Sequence, residues 1–221
     1  MHRKGCENLK EDLIASIVAL EWEMFQNVNN VGGRAACQDN FETFSVMRSS
    51  QATAWSEAAL ASYLEDLTDA QENGRNLLTE KYARMMEFTA PLEYARIQHQ
   101  LPPVEQETRL LIDRITKIHL AWEEEISINF PYIRRRGRPA SSSDDTSYLT
   151  SIETYLRGEF ATYSTRTLAL YYQNALEQKA VNINGAQVVL AATMQQYGFN
   201  SLAAANEAMK KRFSSHLAAR Q

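Results

Sequence analysis

The run PPVEQETRLLIDRITKIHLAWEEEISINF, residues 102–130, decides the fold. After the proline pair, more than 20 residues pass without another proline or any glycine, and Leu111, Ile115, Ile118, Trp122 and Ile126 recur at steps of three and four. That spacing puts them on one stripe of an α-helix. A helix this long crosses a small domain from end to end, so its partners must be helices that bury the stripe.

The flanking segments repeat the pattern. Leu9, Leu13, Ile14, Ile17, Val18, Glu21, Met24, Phe25 and Val28 make a first helix, stopped by Asn29-Asn30-Val31-Gly32-Gly33. Asp39 and Glu42 read as a capping box opening a long second helix through Phe41, Phe44, Met47, Gln51, Trp55, Ala59 and Leu67 to Asn73-Gly74. A third runs from Asn76 to Thr89, and a short fourth covers Glu93 to His99. Arg134-Arg135-Arg136-Gly137-Arg138 and the small residues after it lack periodicity, which predicts a mobile surface loop at about 133–147. Thr150 and Glu153 form another capping box for a helix reaching Lys179. Asn184-Gly185 then turns into two closing helices, around Val188 to Tyr197 and Leu202 to His216. The expectation is all-α: a single-domain helical bundle of about seven helices over residues 1–221.

Composition agrees. Of 221 residues, 44% are hydrophobic and 23% charged, enough for a core and a solvated face, and eight glycines and five prolines leave long uninterrupted helical runs. A net charge of −4 supplies no attraction to a phosphate backbone, so nucleic acid is not an expected partner. Cys6 and Cys37 are too few for a disulfide framework, and the N-terminus lacks an apolar leader. No stretch reaches the roughly 18 apolar residues of a membrane span. These features predict a cytoplasmic protein without a membrane partner and leave homo-oligomerisation open.

Chemistry is sought where polar groups fall on apolar stripes, because a buried charge costs several kcal/mol unless a partner or ligand compensates it. Arg48 lies on the stripe of Phe44 and Gln51, where its fork either holds a substrate carboxylate or pairs with a structural acid. Glu159 shares a face with Ile152, Leu156, Tyr163 and Leu170 and is the natural complement, as counter-ion or as general acid or base. On the third helix Arg84 can reach Glu80 and Glu87 along one face, and Lys81 and Tyr82 form a pair capable of moving protons; surface ion pairs give the same spacing. Arg34, Cys37 and Gln38 precede a helix N-terminus, where loop N–H groups bind anions and the dipole lowers a thiol pKa; the plainer reading of Cys37 is a small buried hydrophobe.

The Glu-x-x-His pairs with which bundles hold two metals are absent, since Arg96, Thr116 and Phe213 stand three residues before His99, His119 and His216. No His-Glu-x-x-His, Cys-x-x-Cys or glycine-rich phosphate loop occurs either, so no cofactor is expected. A carboxylate-rich metal site using Glu23, Glu80, Glu87 or Glu159 is an alternative. Glu123-Glu124-Glu125 reads as a solvated face, the basic loop as a solvated connector or a contact for phosphate or an acidic partner, and Tyr155, Tyr163, Tyr171 and Tyr172 as mostly packing.

Several strings say more than their spacing. Glu21-Trp22-Glu23-Met24-Phe25, Gly32-Gly33-Arg34-Ala35 with Cys37-Gln38, Met47-Arg48-Ser49-Ser50-Gln51, Asn76 to Glu87 and Glu153-Thr154-Tyr155-Leu156-Arg157-Gly158-Glu159 together resemble an uncharacterised microbial family, catalogued as a domain of unknown function. The resemblance covers most of the chain and implies a shared fold and a common polar site, without a reaction. Phe88 departs from it, standing where a small hydroxyl residue is expected. With Tyr155 and Arg157 added from the last string, the residues predict a small-molecule enzyme. Arg48, Gln51, Arg84, Arg34, Gln38, Tyr155 and Arg157 bind an anionic or amino-acid-like substrate, and Tyr82, Lys81 or Glu159 handles the protons of a lyase reaction. The alternatives are a non-catalytic binding or scaffold protein with buried Arg–Glu pairs and a metal-dependent bundle enzyme.

Overall fold

Serine side chains cut two of the expected helices in half. The computed structural model describes residues 3–29, 33–135, 137–146 and 148–218, with 3–8 and 216–218 by backbone alone. Gly32 of the expected linker and Arg136 of the basic loop lie outside the described residues. Among the described residues there is no strand, and there are eleven helices rather than about seven. They are α1 (Arg3–Gln26), α2 (Phe41–Thr53), α3 (Glu57–Glu72), α4 (Leu77–Thr89), α5 (Pro91–Ile97), α6 (Gln106–Asn129), α7 (Pro131–Arg134), α8 (Ile152–Phe160), α9 (Thr165–Ala180), α10 (Gly185–Gln196) and α11 (Leu202–Ala218).

The expected second helix is α2 and α3. Ser56 Oγ accepts from Ala59 N at 3.3 Å and restarts the chain as a new helix, with Trp55 buried at the corner. Ser164 does the same for α9, accepting from Thr167 N at 3.1 Å. Two expected caps also shift by one residue. α2 opens at Asn40, not Asp39, and α8 at Ser151, not Thr150. α5 and α7 each start on a proline, whose missing N–H costs nothing in the first turn.

α1 packs on α2, α3 and α4, α3 on α9, α9 on α6, α6 on α8, and α8 back on α4. This ring encloses the main core, which includes Ile17, Phe25, Leu60, Leu67, Ile115, Phe160 and Leu168. α10 lies against α2 and α6, with α7 and α11 beyond it around Ile133, Met194, Leu202 and Ala205. The α6 stripe is placed as its spacing requires: Ile115, Trp122 and Ile126 are buried, and Leu111 and Ile118 are half-buried against the core.

Two glycines set helix distances. A Cβ on Gly158 would stand 2.7 Å from Met85 Cγ and 3.0 Å from the Lys81 carbonyl oxygen, so its absence lets α8 touch the backbone of α4. At Gly185, Trp122 Cζ3 would be 2.8 Å from a Cβ, so the α6 indole fills the place of a side chain at the start of α10. The segment joining α7 to α8 is pinned to the α8 N-terminus. Ile152 N donates to Pro139 O at 2.8 Å, Glu153 N to Ala140 O at 3.0 Å, and Ser142 N to Glu153 Oε2 at 2.9 Å. No helix among the described residues is long and apolar enough to cross a membrane.

Candidate functional site

Four helices each send one charged side chain to the same buried point. Arg48 of α2 grips Glu21 of α1 with both edges of its fork, Nε to Oε2 at 2.7 Å and Nη2 to Oε1. Arg48 Nη2 also lies 2.8 Å from Glu159 Oε1 of α8, and Lys81 Nζ of α4 bonds Glu159 Oε2 at 2.8 Å. Tyr63 OH donates to Glu21 Oε1 at 2.7 Å, Tyr163 OH to Glu159 Oε1 at 2.9 Å, and Gln51 Nε2 to the same oxygen at 3.2 Å. Glu21 and Glu159 are 0% and 2% exposed, so the two carboxylates are balanced by the two cations without help from water.

This pairing fixes the protonation states. Burial pushes the Glu159 carboxyl up, but Arg48 and Lys81 outweigh it and hold it well below the usual carboxylate range. Burial works against the Lys81 charge, and Glu159, followed by Tyr155, overcomes it and raises the ammonium pKa. Arg48 is likewise raised well above its ordinary value, its burial opposed by Glu159 and Glu21. Glu159 is therefore a poor base and Lys81 a poor acid at neutral pH, because giving up either charge would strand the other.

Above this cluster lies a cavity of about 920 Å³, within the size range of small-molecule sites. Arg48, Gln51, Tyr82 and Tyr155 form its polar floor, and Ile126, Leu156, Val189, Leu190 and Met194 its apolar walls. Arg48 donates through Nη1 to Gln51 Oε1 at 2.7 Å, which leaves one of its five N–H groups for the cavity. Burial, then the nearby Tyr155, pushes Tyr82 up to about 12; its hydroxyl and that of Tyr155 have no hydrogen-bond partner among the described residues. Tyr155 also carries two cations over its ring, Lys81 Nζ at 3.7 Å and Arg138 Cζ at 5.2 Å from the centroid.

Three residues of this cavity were read otherwise in the sequence. Glu123 lines it from α6, paired with Arg134 at 3.0 Å, and burial raises its carboxyl pKa against the opposing pull of Arg134. Arg138 donates to Thr150 O at 3.0 Å and, alone among the cavity's cations, has no carboxylate partner among the described residues. Cys37 is exposed at the wall, in a short 3-10 turn over Ala36–Asp39. A helical period counted from Trp122 and Ile126 would have turned Glu123 partly inward. Nothing in the local pattern marks Arg138, because its loop is placed by bonds to α8.

The remaining expected site residues lie elsewhere. Gln38 is buried under α1, donating to Phe25 O at 2.8 Å and Val28 O at 3.0 Å, where it caps the last turn. Arg34 reaches Asp39 at 2.8 Å and Gln38 O at 2.9 Å, bracing the same turn. Arg157 pairs with Asp113 at 2.6 Å and Glu153 at 3.2 Å on the outer face. Arg84 bonds Pro102 O at 2.7 Å and reaches neither Glu80, which Arg75 holds at 2.8 Å, nor Glu87. Among the described residues, no three His, Cys, Asp or Glu side chains converge as metal ligands.

No curated protein and no solved structure matches the chain. The family model described as protein of unknown function (DUF4125) matches residues 11–207, the span that supplies all four charges of the buried cluster and nearly all of the cavity wall, and the chain belongs to that family.

Proposed function

We propose that the protein binds a small amphipathic molecule in the large cavity, with its anionic group toward Arg138, Tyr155 and the free edge of Arg48. The observation that carries this reading is the charge of the lining. Arg48 and Arg134 are spent on carboxylates while Arg138, exposed at the cavity, is not, so it is free to meet a ligand anion as apolar walls cover the rest of the molecule. A cytoplasmic location belongs to the same proposal, supported by the sparse cysteines and the free thiol of Cys37. The probe is anilinonaphthalene sulfonate, an aromatic anion whose fluorescence rises in apolar surroundings. We expect one-to-one binding, weakened about tenfold by Arg138→Gln and weakened also by Leu190→Trp, whose indole narrows the cavity. Binding indifferent to both substitutions overturns the reading.

A second reading adds chemistry at this place, favoured by the raised carboxyl pKa of Glu123 and the unpartnered Tyr82 hydroxyl. In a lyase step the Glu123 carboxylate takes the proton beside a substrate carboxylate, and the released pair forms the C=C bond. The leaving hydroxyl or amine departs with the Tyr82 proton. Mass spectrometry of a panel of hydroxy and amino carboxylates should show loss of water or ammonia with the wild type and none with Glu123→Gln. A wild type that leaves the whole panel intact removes this reading and spares the first.

A further inference from the structure

Arg84 is a buried cation with almost nothing to bond. It is 8% exposed, its Nε is buried with no hydrogen-bond partner, and its one acceptor among the described residues is the Pro102 carbonyl. Burial lowers its pKa, with the carboxylate of Glu80 only partly opposing. The contrast with two other arginines is direct. In Arg48 and in Arg75, Nε and Nη2 together clasp a carboxylate, Glu21 in one case and Glu80 in the other, while the same fork in Arg84 holds a single backbone oxygen. A guanidinium taken from water and left so poorly satisfied is costly to the fold, which implies a compensating group that the chain does not supply.

The place for that group is a cavity of about 280 Å³, separate from the large one, between the end of α3, α4 and the start of α9. Arg84 lines it together with Arg75, whose fork is spent on Glu80. Asp66 and Asp69 of α3 and Glu105, which precedes α6, are also in its lining. Asp66 accepts from the Ser164 backbone N–H at 2.9 Å, and Asp69 has no ion pair among the described residues. Thr108 and Thr165, joined through their hydroxyls at 2.8 Å, line it as well.

A simple anion would meet Arg84 and the already paired Arg75 but also three carboxylates, and a simple cation would leave Arg84 unsatisfied. We propose that this cavity binds a small zwitterion of the α-amino-acid class, its carboxylate on the Arg84 guanidinium and its ammonium toward Asp66 and Asp69. The volume suits a molecule of that size, and one small cavity offers both an unsatisfied guanidinium and carboxylates, as a ligand that carries both charges on a single carbon requires. The proposal is independent of the large cavity's ligand, since Arg84 does not line that cavity.

The test is calorimetric titration of the full chain with each of the twenty standard amino acids, and with propionate and ethylamine as the one-ended counterparts of alanine. We expect at least one amino acid to bind one-to-one, with propionate and ethylamine at least tenfold weaker than alanine where alanine binds. Arg84→Gln should abolish that binding, and Asp66→Asn, a milder change, should weaken it severalfold. Leu190→Trp in the large cavity should leave it unchanged. The proposal is overturned if no amino acid binds the wild type, if propionate matches alanine, or if binding survives Arg84→Gln with the protein's circular dichroism intact.

Discussion

Lys81 Nζ stands 3.7 Å from the centre of the Tyr155 ring while its 2.8 Å bond to Glu159 runs into the core, so a single ammonium joins the cavity floor to the buried charges. Removing it leaves Glu159 short of one cation in surroundings that water does not reach. Lys81→Met and Glu159→Gln should each lower the free energy of unfolding by about 3–5 kcal/mol. The double variant should lose at least about 1 kcal/mol less than the sum of the two. Urea unfolding of all four proteins measures this, and strict additivity would show that the pair contributes no coupling.

Gly158→Ala probes the contact that brings these charges together. The new methyl group meets Met85 Cγ, close to the root of a buried side chain, and the Lys81 carbonyl, which belongs to a helix backbone and cannot move alone. The expected cost is about 1–3 kcal/mol from the overpacked α4–α8 contact. An unchanged or raised thermal midpoint would contradict the tight approach.

Acid should loosen the fold in two separate windows. Burial pulls His119 down to about 4 from an ordinary 6.5, with Glu159 only partly opposing, and its Nε2 lies 2.8 Å from the Tyr171 hydroxyl. Between those values the unfolded chain binds the proton and the folded one does not. The contribution is complete above pH 6.5 and is lost as pH falls toward 4, at roughly 1.4 kcal/mol per unit and about 3 kcal/mol in all. Glu159, whose pKa is depressed, loses its contribution only below its ordinary 4.5. Denaturant unfolding from pH 7 to 4.5 should steepen for the wild type and flatten for His119→Gln; equal slopes would sink the assignment.

Ser164→Ala tests the break between α8 and α9. Losing the bond to Thr167 N should cost about 1 kcal/mol. Ser164→Gly should lose only a few tenths, because a cap position tolerates glycine. Comparable losses in the two variants would mean that Ser164 acts through something other than its cap.

Much of this could be read from the residues in order. The α6 stripe, the third helix to Thr89, the placement of Glu21, Arg48 and Glu159 on apolar faces, and the family follow from spacing and strings. Spacing cannot say which acid meets which base. Arg84 has Glu80 and Glu87 within helical reach and bonds neither, because Arg75, arriving from the α3–α4 turn, already holds Glu80. Gln38 and Arg34 donate to the backbone for a similar reason, since the end of α1 and the turn after it leave carbonyl groups that need donors. The two serine breaks were hidden because the apolar pattern on either side stays in helical phase, and only the cap bonds show the chain turning.

The buried charges stand at positions 21, 48, 81 and 159, and a ribosome delivers them in that order. From the synthesis of Lys81 until that of Glu159, two cations share a single acid. A core made of the first four helices alone would enclose a surplus positive charge. α8 brings the carboxylate that balances them, behind a residue with no side chain, so these four charges sum to zero only once this helix is in place.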